Sequence, residues 1–201
     1  MEHYIKFTAI PYDEDGSFLV NKLFNRLHGV FVAEGFCLGL GFPLWSAENP
    51  GLEITVFGSK AQLETVLSNS GIADLVLKKM IQSGDIAPVP EGSQKVVFTR
   101  DRKKEPVSPS ALRRKMKRLE KHHKAKGLPW SEAAFLAENP IAPNKVRKKL
   151  PFVVVERSSG NFRLYIDKAE PKSAEPNKPD GFSQYGLCGG ESTLGAWVYN
   201  L

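Results

Sequence analysis

Residues 4–34, YIKFTAIPYDEDGSFLVNKLFNRLHGVFVAE, switch from one hydrophobic period to another within a single connected unit. Tyr4 to Ile10 alternates and stops at Pro11. That predicts a strand, because successive strand side chains face opposite ways and proline cannot donate to a ladder. Ser17 to Glu34 then sets Val20, Leu23, Phe24, Leu27, Val30 and Phe31 at helical spacing, which predicts an amphipathic helix with one buried face.

The following segments extend the pattern. Phe36 to Phe42 is apolar, contains glycine and is closed by Pro43, and Leu52 to Phe57 is a short strand. Ser59-Lys60-Ala61-Gln62 fits a capping box that opens a second helix to about Ser70. Leu75 to Val89 contains a fourth strand. The order β-α-β-β-α-β predicts a ferredoxin-like (split βαβ) domain over residues 1–93, within an α+β protein. Such a sheet carries both helices on one face and leaves the other face open to a partner. Fold alone does not establish function.

The remainder, residues 94–201, reads as a second domain. Val96 to Thr99 is a strand that leads into RDRKKEPVSPSALRRKMKRLEKHHKAK, residues 100–126. This stretch holds twelve Lys or Arg against three acids, a formal +9, whereas the whole chain is only +6. The basicity is therefore one local patch, suited to a polyanion such as nucleic acid. Pro109 suits a first helical turn and Ser108 suits the N-cap, so a helix is expected over about 108–125. Leu112, Met116 and Leu119 form a narrow stripe with His123 beside it. Arg113, Arg114, Lys117, Arg118, Lys121 and Lys124 cover an opposite arc roughly 140° wide. A solvated charged helix is the plainer alternative, but ordinary solvated faces mix both signs, and this one holds only Glu120.

A short helix from about Ser131 to Glu138 follows, then a loop with a second basic cluster, Lys145, Arg147, Lys148 and Lys149. Phe152 to Glu156 and Phe162 to Ile166 flank the polar turn Arg157-Ser158-Ser159-Gly160-Asn161 and read as a hairpin. Lys168 to Asp180 reads as a surface loop. Phe182 to Leu187 and Ala196 to Asn200 read as closing strands.

Bulk properties narrow the class. The hydrophobic content of 41% is ample for a core, and no apolar run approaches membrane-spanning length. The N-terminus alternates like a strand and does not resemble a signal peptide, so a cytoplasmic protein is expected. Cys37 and Cys188 lie far apart, and with four histidines in no Cys/His cluster they read as reduced thiols, not metal ligands. The chain carries no P-loop, dinucleotide fingerprint, zinc-protease helix or nucleophile elbow. No cofactor is expected, and acid–base chemistry without a metal is the default for an enzyme here. RNA offers that chemistry, because each phosphodiester has a neighbouring 2′-hydroxyl that histidine can activate. His28, at the border of the apolar helix face and before Gly29, is the candidate base; periodicity alone reads it as a packed or solvated structural residue.

Five segments occur in order: LFNRLHGVFVAEG at 23–35, GFPLW at 41–45, ALRRKMKRLEK at 111–121, FRLYI at 162–166 and SQYGL at 183–187. Together they resemble the CRISPR-associated endoribonuclease family that processes precursor CRISPR RNA in I-F-type systems, over nearly the whole chain. The resemblance implies an enzyme that binds the repeat hairpin and cuts at the 3′ base of the stem without a metal. The 2′-hydroxyl attacks, leaving a 2′,3′-cyclic phosphate and a 5′-hydroxyl. The enzyme then stays on the guide RNA as part of a surveillance complex and is a monomer when free.

The same resemblance assigns roles residue by residue. His28 matches the catalytic histidine, as general base on the 2′-hydroxyl or as a donor to the leaving oxygen. The active-site serine falls on Ser158 or Ser159, with Ser158 preferred because it follows an arginine, and it would pin the ribose for in-line attack. Tyr185 would orient the histidine or the ribose, although a core strand tyrosine is its alternative. Phe162 would stack on a nucleotide at the foot of the stem, or else belong to the core. Arg100 and Arg102 would read base edges above the cut. Arg113, Arg114, Lys115 and Arg118 would face the stem, with Lys117 and Lys121 on the same basic helix. Lysines at 115 and 117 contact phosphate as point charges, without the guanidinium fork. A non-catalytic RNA-binding subunit would use the same helix with His28 merely structural. A DNA-binding regulator lacks support, since no helix-turn-helix spacing is present.

Overall fold

The structure, a computed structural model, describes residues 2–12, 16–100, 109–138, 151–171, 181–188 and 196–201. Arg102, Ser108, the basic cluster at 145–149 and residues 172–180 of the expected surface loop lie outside them. The described residues form an α+β protein with two antiparallel sheets and five helices.

The first sheet contains β1 (His3–Ala9), β2 (Gly39–Gly41), β3 (Glu53–Gly58), β4 (Ile81–Ser83) and β5 (Ala87–Pro88). Its order is β2-β3-β1-β4, with β5 also pairing with β1. Register runs from His3 opposite Gly58 to Thr8 opposite Glu53. Alternation in β1 buries Ile5, Phe7 and Ala9. The helix α1 (Ser17–Glu34) covers the sheet and buries Leu19, Val20, Leu23, Phe24, Leu27, Val30 and Phe31. It stops at Gly35, whose N–H still reaches the Phe31 carbonyl and whose φ of 67° turns the Phe36 N–H back to that same carbonyl at 2.9 Å.

The capping box forms as expected: the Ser59 hydroxyl accepts from Gln62 N–H, and the Gln62 side chain accepts from Ser59 N–H. It opens α2 (Lys60–Ser68). A further helix, α3 (Ser70–Leu77), occupies residues that the sequence places partly in α2 and partly in a strand. Asn69 causes the break. Its backbone is extended, and its side chain accepts from Gly71 and Ile72 N–H, capping a new helix.

The second sheet has the order β7-β8-β6-β9, from β6 (Lys95–Arg100), β7 (Phe152–Val155), β8 (Phe162–Ala169) and β9 (Val198–Tyr199). The expected hairpin is present as β7 and β8, with Val155 opposite Phe162. The expected strand over Phe182 to Leu187 is instead a turn, anchored by bridges from Cys188 to Phe182 and Thr99. One core runs beneath both sheets. The GFPLW segment ties them together: Phe42 packs edge-on to Phe98 at 5.3 Å, and the Trp45 indole donates to the Ile166 carbonyl at 3.3 Å. Cys188 is buried in this core, and desolvation pushes its thiol up to about 11. It therefore stays protonated at neutral pH and donates to the Ala196 carbonyl.

The chain divides into two compact units, Met1–Arg102 with Lys149–Leu201, and Lys103–Lys148. The second holds α4 (Pro109–Ala125) and α5 (Glu132–Glu138). In α4, Leu112 is buried and Met116, Leu119 and His123 are half-buried. Arg113, Arg114, Lys115, Lys117, Arg118, Lys121 and Lys124 are exposed. The His123 ring holds the Pro129 carbonyl at 2.9 Å and meets Trp130 edge-on at 5.3 Å. Trp130 in turn packs on Phe135.

Candidate active site

The site is assembled on α1. Asn21, Asn25 and His28 recur at one-turn spacing, so they share a face. The two asparagines bind the outer edge of β7, whose backbone groups would otherwise lack sheet partners. Asn21 accepts from Val154 N–H at 2.8 Å. Asn25 donates to the Val154 carbonyl at 2.7 Å and accepts from Glu156 N–H at 2.9 Å. The hairpin is thereby fixed to the helix one turn before His28, and its tip, Arg157 to Gly160, is held in register with that histidine.

The turn at residues 183–187 forms the opposite wall. Ser183 N–H and its hydroxyl both donate to the Leu187 carbonyl, at 2.8 and 3.0 Å. Gly186 N–H returns to the Ser183 carbonyl at 2.8 Å. Gly186 has φ of +69°, and a Cβ there would lie 2.3 Å from Leu40 Cγ. Its carbonyl accepts from Leu40 N–H at 2.7 Å, docking the turn on β2. Glycine is thus required both by backbone hand and by close approach. Gly186→Ala is expected to cost at least about 1–2 kcal/mol from the left-handed backbone alone, with the clash adding to it. Urea unfolding measures that loss.

This turn presents Gln184 and Tyr185 to His28. The His28 Nδ1 lies 2.8 Å from the Gln184 carbonyl oxygen. A carbonyl only accepts, so this contact needs the proton on Nδ1, and the neutral ring then keeps Nε2 as an acceptor. The His28 and Tyr185 rings stack with centroids 4.4 Å apart. Phe24 lies 6.5 Å from Tyr185, nearly parallel, and Phe162 lies 6.4 Å away, edge-on. His28, Tyr185 and Phe162 are all half-buried. None is sealed in the core, so each retains a surface a substrate can reach.

Arg157 enters this cluster from the hairpin tip. Its guanidinium donates to the Tyr185 hydroxyl and lies 4.7 Å from the Phe162 ring centroid. The Arg100 guanidinium, at the end of β6, lies 5.3 Å from the same ring. Both distances allow cation–π attraction. Ser158 and Ser159 follow Arg157 at the exposed tip, and the turn is closed by Gly160 N–H to the Arg157 carbonyl at 3.0 Å. The structure therefore gathers His28, Tyr185, Phe162 and Arg100, with Ser158 and Ser159 on the adjoining turn. The basic residues of α4 belong to the other compact unit.

Four participants escape sequence reasoning. The Gln184 carbonyl has no side-chain signature. Asn21 and Asn25 read simply as the polar side of an amphipathic helix. Arg157 serves the sequence only as a marker for the serine after it; its spacing to Phe162, five residues across a hairpin turn, is the one available signal.

The architecture and cluster define a two-sheet α+β protein with a tautomer-fixed histidine beside an aromatic and arginine wall. A model of the family described as CRISPR-associated protein (Cas_Csy4) matches residues 4–197. The chain belongs to that family, which gives it a CRISPR-associated role in crRNA processing. No curated protein matches it.

Proposed function

We propose that the protein is a metal-independent endoribonuclease that binds the CRISPR repeat hairpin and cuts at the 3′ base of its stem. The observation that carries this reading is the His28 contact to the Gln184 carbonyl, which leaves Nε2 as an acceptor beside half-buried aromatic rings and the exposed Arg157. In the proposed reaction, Nε2 of His28 takes the proton of the scissile 2′-hydroxyl. The 2′-oxygen bonds to phosphorus, the bond to the 5′-oxygen breaks, and that oxygen leaves protonated by solvent. The products are a 2′,3′-cyclic phosphate and a 5′-hydroxyl. Ser158, or Ser159 in its place, would hold the ribose in line, and Tyr185 fixes the histidine ring by stacking.

RNA binding is assigned to residues 94–201, with the ferredoxin-like half at 1–93 supplying the helix that bears His28. The observed strand order and the helix after β1 support that ferredoxin-like reading. The basic face of α4 would contact stem phosphates, giving affinity and register, while Arg100 and Arg102 would read base edges next to the cut. An arginine suits a guanine edge, which it can bind through two hydrogen bonds. Phe162 would stack on the nucleotide at the foot of the stem, an interaction worth about 1–3 kcal/mol in single-stranded complexes. The enzyme would then remain on its product within the surveillance complex.

The test is incubation of the repeat hairpin with the protein in excess EDTA. One cut at the 3′ foot of the stem, with the product retained, is expected. Tight binding without any cut would favour a non-catalytic hairpin-binding subunit.

A further inference from the structure

Arg157 lies outside the proposed histidine, serine and tyrosine set, yet several contacts hold its exposed side chain beside them. Its main-chain carbonyl closes the hairpin turn. Its guanidinium is bonded to the Tyr185 hydroxyl and lies 4.7 Å from Phe162 and 6.0 Å from the Tyr185 ring centroid. These partners are a hydroxyl and two aromatic rings, none of which neutralises the charge. A guanidinium carries five N–H donors in a planar fork, and a single hydroxyl oxygen cannot use them all. The Arg100 guanidinium converges on the same Phe162 ring, at 5.3 Å.

We propose that Arg157 binds the scissile phosphate and is a catalytic residue, stabilising the charge that builds on the nonbridging oxygens. The inference rests on the nuclease reading above and deepens it. When the 2′-oxygen attacks, the phosphorus acquires a fifth bond, and its nonbridging oxygens carry more negative charge than in the ground state. A prepositioned donor aimed at developing charge needs no reorganisation as the reaction proceeds. Tyr185 plays two parts in this arrangement: its ring stacks on the base His28, and its hydroxyl aims the cation. One side chain thus sets the separation between the proton acceptor and the charge stabiliser.

The experiment compares wild type, Arg157→Ala and Arg157→Lys in single-turnover cleavage of the repeat hairpin, with hairpin affinity measured in parallel. Arg157→Ala is expected to cut about 10²–10³-fold more slowly, the usual cost of losing one such donor, with affinity changed no more than a few-fold. Arg157→Lys is expected to recover part of the rate, because the charge returns without the fork. Substituting sulfur for a nonbridging oxygen of the scissile phosphate is expected to slow wild type and to have less effect on Arg157→Ala. A residue that only steadied Tyr185 would leave that sulfur effect unchanged, and this result would overturn the inference. Cutting by Arg157→Ala at the wild-type rate would also overturn it while leaving the nuclease reading intact. A wild-type protein that binds the hairpin without cutting would overturn both.

Discussion

Replacing His28 by alanine is expected to lower hairpin cleavage by about 10²–10⁴-fold, the range typical for a lost general base. Hairpin affinity is expected to stay within a few-fold, because the basic face of α4 is untouched. The variant should also remain folded. His28 is half-buried on α1, alanine is the best helix former, and the lost hydrogen bond to Gln184 is worth only about 0.5–1.5 kcal/mol. Rates are read under single-turnover conditions, and a thermal melt checks the fold. Full activity in His28→Ala would remove this ring from the mechanism and return it to the structural role that periodicity alone allows.

The second large effect lies in the substrate. A repeat hairpin with 2′-deoxyribose at the scissile nucleotide is expected to bind normally and not be cut. In the proposed reaction the nucleophile belongs to the RNA, so its removal cannot be compensated by any group of the protein. The affinity should persist, since stem phosphates and shape are unchanged. Cleavage of this substrate would require another nucleophile, such as water, and would exclude the mechanism outright.

Much of the framework that places His28 is legible from residue spacing. Helix α1 has the same ends in the sequence reading and the structure, Ser17 and Glu34, because its apolar stripe is continuous and Gly35 stops it. The capping box at Ser59 and Gln62 is a local device, formed by residues three apart, and it too is readable. Local apolar content misleads where a polar cap intervenes. Residues 70–77 look like a continuation toward a strand until Asn69 turns its side chain onto the next two N–H groups. Phe182 to Leu187 carries strand-like residues, yet Ser183 folds the chain back on Leu187, and Gly186 adopts a left-handed backbone against Leu40.

The candidate site is less legible, because its bonds cross long stretches of chain. His28 reaches Gln184, Asn25 reaches Val154, and Arg157 reaches Tyr185. No periodicity reports such pairs. The family resemblance supplies His28, Tyr185 and the choice of Ser158 or Ser159, but not the reason these residues meet. The structure supplies that reason: two asparagines of α1 hold the hairpin, and a glycine-dependent turn holds Tyr185 over the histidine. The resemblance uses Arg157 only to place the serine after it; its contacts to Tyr185 and Phe162 emerge from the geometry.

The measurement that bears most directly on the mechanism is the mass of the new RNA terminus left by the protein in excess EDTA. A 2′,3′-cyclic phosphate on the upstream fragment, lighter by one water than a linear phosphate, paired with a 5′-hydroxyl downstream, is the expected result. A 3′-hydroxyl paired with a 5′-phosphate would contradict it, because attack by the neighbouring 2′-hydroxyl cannot produce those ends.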